Sequence, residues 1–249
     1  MNVSLYQAAA ALDANSRWQD AIAENLASSS IPGYKRQSVS FSSIQAGLME
    51  TSGTQAPDQH FGLPKDNSSI DFASGQLRPT GVETDVAIEG NGFFEVGLPS
   101  GSSAYTRDGE FQVNSQGALV TKQGYPVQGQ GGPIQLDPRK RGVLTITADG
   151  HITEGATPVG QLKLTDFKNR QALTHLGGGY FQANSLSAQA TDATGTNVRQ
   201  GFLEGANTTP VSEMVGLLGA MRSYEANQRL IQVNDDRMGQ AIRDLSGAS

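Results

Sequence analysis

The acid–base chemistry open to this chain rests on two carboxylate pairs, Glu83 with Asp85 and Asp108 with Glu110. Held about 5 to 9 Å apart on either side of a sugar ring, such a pair hydrolyses a glycosidic bond. Residues two apart on a strand share a face for a purely geometric reason, and acidic residues beside turns are ordinary, so the spacing assigns no catalytic role. The histidines His60, His151 and His175 each stand away from a second ligand type at metal spacing and read as solvated or loop residues. The absence of cysteine removes disulfides, zinc–thiolate sites, iron–sulfur clusters and a thiol nucleophile. No G-x-S-x-G, Walker A or dinucleotide fingerprint occurs, and glycine follows Asn, Asp or Gln at turns rather than opening a helix after a strand. The expectation is no catalytic residue, no cofactor-binding residue and no metal site.

The elements around these residues say more. Thirty glycines and only 17% charged residues in 249 describe a turn-rich β protein better than a helical enzyme. A formal net charge of −6 argues against a partner held by phosphate contacts, so no nucleic acid is expected. No apolar run approaches the roughly 20 residues that span a bilayer, and the N-terminus lacks the basic and apolar regions of a cleaved secretory signal. The sequons at Asn67 and Asn207 then read as coincidence.

Both ends are predicted helices. From about Val3 to Ala27, a seam of Leu5, Ala8, Leu12, Asn15, Gln19, Ile22 and Leu26 alternates steps of three and four, apolar at its ends and polar in its middle. Near the C-terminus, Thr209 suits an N-cap, Pro210 the first helical position and Glu213 the first turn. A second seam of Met214, Leu217, Met221, Tyr224, Gln228, Ile231, Asp235, Met238, Ile242 and Leu245 keeps the coiled-coil period. Each seam is narrower than the face of a helix packed on a globular core and needs a partner, either the other terminus of the chain or a neighbouring subunit; the alternative is that both helices pack on the middle domain.

Between the helices the period becomes two. The runs "TDVAIEG", "GFFEVGL", "SAYTR", "GEFQVN", "GALVTK", "VLTITA", "HITE" and "GQLKLTDF" read as strands, separated by the hairpin-type dipeptides Asn91-Gly92, Asp108-Gly109, Gln116-Gly117 and Asp149-Gly150. Phe93 and Phe94 fall on opposite faces of one strand, which predicts one core and one surface-directed ring. The fold class is therefore α+β: N- and C-terminal helices of coiled-coil period plus a central antiparallel β domain. The expected organisation is an N-terminal helix over 1–30, an extended arm over 31–74, a β-rich domain over 75–202 and a C-terminal helix over 203–249. In "ENLASSSIPGYKR" the serines and Pro32 end the first helix, leaving Tyr34, Lys35 and Arg36 at the start of the arm.

Three segments, in this order, carry a family resemblance: "ENLASSSIPGYKR", "TGVETDVAIEGNGFFEV" with "AYTRDGEFQVNSQGALVTKQGYPVQG", and "GFLEGANTTPVSEMVGLLGAMRSYEANQRLIQ". Together they resemble the bacterial flagellar rod and hook axial proteins over nearly the whole chain, most closely the proximal rod proteins and next the distal one. The resemblance implies paired N- and C-terminal coiled-coil helices, inner over 1–30 and 203–249, with the β domain over 75–202 as the outer part, in a structural subunit of the basal-body rod that assembles helically with itself and with other rod and hook proteins to pass torque to the hook. It also implies export through the flagellar export apparatus without a cleaved signal, a place in the periplasmic rod, and no membrane insertion. The assembly contacts expected are Leu5, Leu12, Ile22, Leu26, Tyr34, Lys35, Arg36, Met214, Leu217, Met221, Tyr224, Ile231, Met238 and Ile242. A peptidoglycan-active enzyme built on the carboxylate pairs is the alternative from another class.

Overall fold

The computed structural model describes residues 3–49, 59–137, 142–183 and 187–246; the side chains of Leu5, Ile242 and Leu245 lie outside the described set. The chain forms two compact units, one made of 1–26, 37–69 and 210–249, the other of 27–36 and 70–209.

The first unit contains most of helix α1 (Val3–Ser28), the strands β1 (Gln37–Met49) and β2 (Gln59–Ile70), and helix α2 (Pro210–Ser246). Helix α2 begins at the proline expected to open it, with Glu213 in its first turn. The helices run antiparallel where they meet. Gln19 Nε2 donates to Ala220 O at 3.4 Å, Asn25 Nδ2 lies 3.4 Å from Glu213 Oε2, and the bare Cα of Gly216 faces Ile22. Asn25 also exchanges two 2.8 Å hydrogen bonds with the backbone of Gln37, which fixes where β1 starts. Part of the stretch expected as an extended arm instead pairs in a two-stranded sheet, β1 with β2, whose bonds between Ser38 and Ser69 and between Ser40 and Asn67 make it antiparallel. Its described side chains are joined through Ser40, Ser42, Asn67 and Ser69. The apolar alternation at the start of β1 is short, Val39 and Phe41 between serines, and the facing Asn67, Ser68 and Ser69 are polar, so the pairing offers little to a pattern search.

The second unit is β-rich. In chain order its strands are β3 (Leu77–Pro79), β4 (Val86–Glu89), β5 (Phe93–Gly97), β6 (Ser103–Thr106), β7 (Phe111–Val113), β8 (Leu119–Thr121), β9 (Gln128–Gly129) and β10 (Gly132–Pro133). There follow β11 (Leu144–Ile146), β12 (His151–Glu154), β13 (Thr157–Gln161), β14 (Leu164–Phe167), β15 (Leu173–Gly177), β16 (Tyr180–Ala183), β17 (Ala190–Asp192), β18 (Asn197–Gln200) and β19 (Phe202–Glu204). The largest sheet has the order β15-β16-β6-β5-β14-β17, and every pairing given for it is antiparallel. All eight predicted runs contain strands. Only two of the four predicted turn dipeptides close hairpins: Gln116-Gly117 joins β7 to β8, and Asp149-Gly150 joins β11 to β12. At Asn91-Gly92 and Asp108-Gly109 the chain instead changes sheets, since β4 pairs with β18 and β7 with β8 while β5 and β6 belong to the largest sheet.

The central sheet is covered on both faces, which corrects the expectation for its aromatic pair. Phe94 packs into a core with Val86, Ile88, Val96, Phe111 and Leu119, and Phe93 into a second core with Ile70, Phe167, Leu173 and Phe181. The rings do point to opposite faces, but neither reaches solvent.

Candidate assembly surface

The predicted contact residues separate by helix face. Of those on α1, Ile22 is buried against α2, while Leu12 and Leu26 are half-buried. On α2, Leu217, Tyr224 and Ile231 are half-buried and Met214, Met221 and Met238 are exposed. Successive residues turn by about 100° around a helix, which puts Val211, Val215 and Leu218 opposite the face of Glu213, Gly216 and Ala220 that meets α1. That outward ridge is apolar and open: Val211 is 72% exposed, Val215 66% and Leu218 57%, with Met214 and Met221 on its flank. The seam of Met214, Leu217 and Met221 includes the methionines but not these three, which form a neighbouring four-three row that ends at Arg222 and is too short to stand out as a seam. Elsewhere in the first unit Ala11, Ala14, Trp18, Val39 and Phe41 line an apolar depression of about 430 Å³, where the Trp18 and Phe41 rings meet edge to face at 5.9 Å.

Tyr34 and Lys35 are not available to a neighbouring subunit. Both are 0% exposed, enclosed by their own chain, which corrects their assignment as assembly contacts; Arg36 is half-buried. The Tyr34 ring packs edge to face on His175 at 5.7 Å, and His175 packs in turn on Phe181 at 5.3 Å. His175 is thus part of a packed aromatic row and not a loop residue, and its Nδ1 accepts the Gly177 N–H at 3.1 Å. Lys35 Nζ donates to Glu204 Oε1 at 2.6 Å and to Ala73 O at 2.9 Å, and Arg107 donates to Glu204 Oε2 at 3.1 Å. Burial pulls the Lys35 and Arg107 pKa values down, and the Glu204 carboxylate opposes that. A charge surrounded by serine, glycine and aromatic residues reads as solvent-exposed in sequence, so this cluster had no signal of its own.

The carboxylate pairs are committed to the fold. Glu83 Oε2 accepts the Leu144 N–H at 3.3 Å, Asp108 Oδ1 accepts the Glu110 N–H at 3.0 Å, and Glu110 pairs with Lys122 at 3.4 Å. Asp85 and Asp108 are buried, and burial pushes the Asp108 carboxyl from 3.8 up to about 6, with the charges of Glu110 and Asp85 adding to the rise. His151 is exposed at the start of β12, and the side chain of His60 lies outside the described residues. No group of three metal-ligating side chains forms among the described residues.

Comparison with known proteins covers the β unit and the C-terminal helix separately and then the chain as a whole. Residues 87–154 match the family model "Flagellar hook protein FlgE/F/G D1 domain", and residues 199–244 match "Flagellar basal body rod FlgEFG protein C-terminal". The flagellar basal-body rod protein FlgF of Mesorhizobium japonicum is 32% identical over 250 residues, covering 100% of both chains. FlgG of Borreliella burgdorferi is 33% identical over 95% of this chain and 96% of its own, and FlgG of Buchnera aphidicola subsp. Baizongia pistaciae 31% over 94% and 96%. These relatives align with the chain over nearly its whole length, and the family they name is one of structural flagellar rod proteins and not of enzymes. The chain belongs to the flagellar basal-body rod protein family, as a structural subunit of the flagellar basal body.

Proposed function

We propose that the chain assembles in a helical lattice with copies of itself and with other rod and hook proteins, and that this lattice passes torque from the motor to the hook. The observation that carries the reading is the outward ridge of α2. Burying a whole Val, Leu or Met side chain contributes about 1.5 to 3 kcal/mol, so covering the open half of five such residues gives several kcal/mol per contact before association costs. An interface between unlike surfaces makes a filament when its rotation does not close into a ring. The ridge and the apolar depression near Trp18 offer two such surfaces. In this reading α1 and α2 act as coiled-coil partners in an inner layer that extends across subunits, the β unit forms an outer layer, and the chain reaches the periplasm through the flagellar export apparatus. A proximal position in the rod is favoured over a distal one by the form of "SSIPGY" and by the short stretch that follows Arg36.

Leu218→Asp together with Met221→Asp tests the proposal. Motility and recovery of the subunit in isolated basal bodies are expected to be lost, while near-UV circular dichroism of the purified variant still shows a folded β unit. Normal swimming by that double variant would remove the α2 ridge as an assembly surface.

A further inference from the structure

Three stretches distant in sequence, 33–36, 71–76 and 204–207, close around one carboxylate in the second unit. Glu204 Oε1 accepts from Lys35 Nζ at 2.6 Å and from the Gly75 N–H at 2.8 Å, while Oε2 accepts from Arg107 at 3.1 Å. The backbone repeats the link, since the Gly33 N–H donates to Glu204 O at 2.7 Å. Asn207 completes it: its N–H donates to Tyr34 O at 3.2 Å, its Oδ1 accepts from the Arg36 N–H at 2.7 Å, and its Nδ2 donates to Asp71 O at 2.7 Å. Arg107 extends the clamp into the sheets, donating to Ile88 O at 3.3 Å and Gly90 O at 2.6 Å and lying 5.5 Å from the centre of the Phe93 ring.

Lys35 is 0% exposed, Glu204 1% and Arg107 4%, so two cations share one buried anion. Were the sheets to close with residues 204–207 undocked, Lys35 and Arg107 would be two like charges taken out of water with only carbonyl dipoles to face them. Burial without a counter-charge is the most expensive condition an ionised group meets in a protein. A half-closed unit of that kind is therefore scarcely populated, and clamp and sheet must form in one step.

We propose that Glu204 is a closure gate: the second unit folds only when residues 204–207 dock onto 33–36. The Lys35–Glu204 contact spans 169 positions, and the strands β4 to β18 all precede Glu204 in the chain. A chain delivered from its N-terminus consequently holds those strands open until its last β segment has arrived, whatever machine delivers it. The gate uses charge, and not the size of the core, to set the moment of folding.

Native-state hydrogen exchange on the full-length protein in low denaturant tests this. Wild-type amides of Gly33, Arg36 and Gly75 are expected to exchange with the same rate and the same denaturant dependence as those of β5 and β6. In Glu204→Gln both groups should lose protection together, by 100-fold or more. Clamp amides that exchange by a faster local opening while β5 and β6 stay protected, in either protein, would overturn the proposal. If Glu204→Gln does not fold, Lys35→Met/Glu204→Gln supplies the second arm: with one cation instead of two left unpaired, β5 and β6 should regain protection at least 10-fold over the single variant. A double variant no better protected than Glu204→Gln would also overturn the gate.

Discussion

Asp108→Asn should stabilise the second unit at neutral pH, by an amount that can be worked from one side chain. Asp108 is 5% exposed in the turn after β6, where its own N–H donates to Thr106 Oγ1 and its Oδ1 accepts the Glu110 N–H, both at 3.0 Å. Burial, then the nearby charges of Glu110 and Asp85, raise its pKa from 3.8 to about 6. Between those values the folded protein holds a proton that the unfolded chain has lost, so the stabilisation is complete below pH 3.8 and disappears as pH rises through 6. At roughly 1.4 kcal/mol per pH unit that rise is worth about 3 kcal/mol. Asparagine keeps the acceptor for Glu110 and carries no charge to bury. At pH 7.5 the variant should therefore be more stable by about 2 to 3 kcal/mol, or some 5 to 10 °C in melting temperature at roughly 2–4 °C per kcal/mol for a unit of this size. The advantage should vanish near pH 3.5, where both side chains are neutral. The single tryptophan, Trp18, lies in the first unit, so thermal melts should follow the near-UV signal of Tyr105, Tyr125 and Tyr180. A variant that melts at or below the wild-type temperature at pH 7.5, or keeps its full advantage at pH 3.5, would refute the reasoning.

Two other substitutions probe packing. Gly33→Ala places a Cβ 2.3 Å from the Arg107 carbonyl carbon and oxygen at a residue whose φ is +67°, and backbone cannot yield as a side-chain tip does, so denaturant titration should show a loss above about 3 kcal/mol. Phe93→Ala opens the second core beneath Phe72, Phe167 and Phe181 and should cost about 3 to 5 kcal/mol in the same titration, with motility lost at the temperature where the unit unfolds.

Sequence patterns revealed the elements whose residues report their own environment. The helix ends at Ser28 to Ser30 and at Pro210 are set by local chemistry, and eight strands followed from β-branched and aromatic runs of period two. Burial of charge does not report itself. Nothing local separates Lys35, enclosed beside Glu204, from Arg36 one residue later, because the carboxylate that pays for its burial lies 169 positions away. Asn207 looked like a chance sequon and is a three-way tie between backbone segments. The turn dipeptides behaved similarly: Asn-Gly and Asp-Gly specify a reversal in direction, while whether the next strand pairs with the last depends on the sheet it meets.

The helix pair makes the same point in energetic form. Among the described residues, the buried part of α1 is Ala14, Asn15, Ala21, Ile22, Asn25 and Ser28, and that of α2 is Glu213 and Ala220. Small and polar side chains dominate, with one large aliphatic group, whereas Val211, Met214, Val215, Leu218 and Met221 stand outside. An isolated two-helix unit gains stability by burying its large apolar residues and leaving amides to water, and this pair does the opposite. Hydrogen bonds such as those of Gln19 and Asn25 fix the alignment of the two helices, each contributing only about 1 kcal/mol. The larger hydrophobic gain is left unused on α2, and it becomes available only when another surface covers that face.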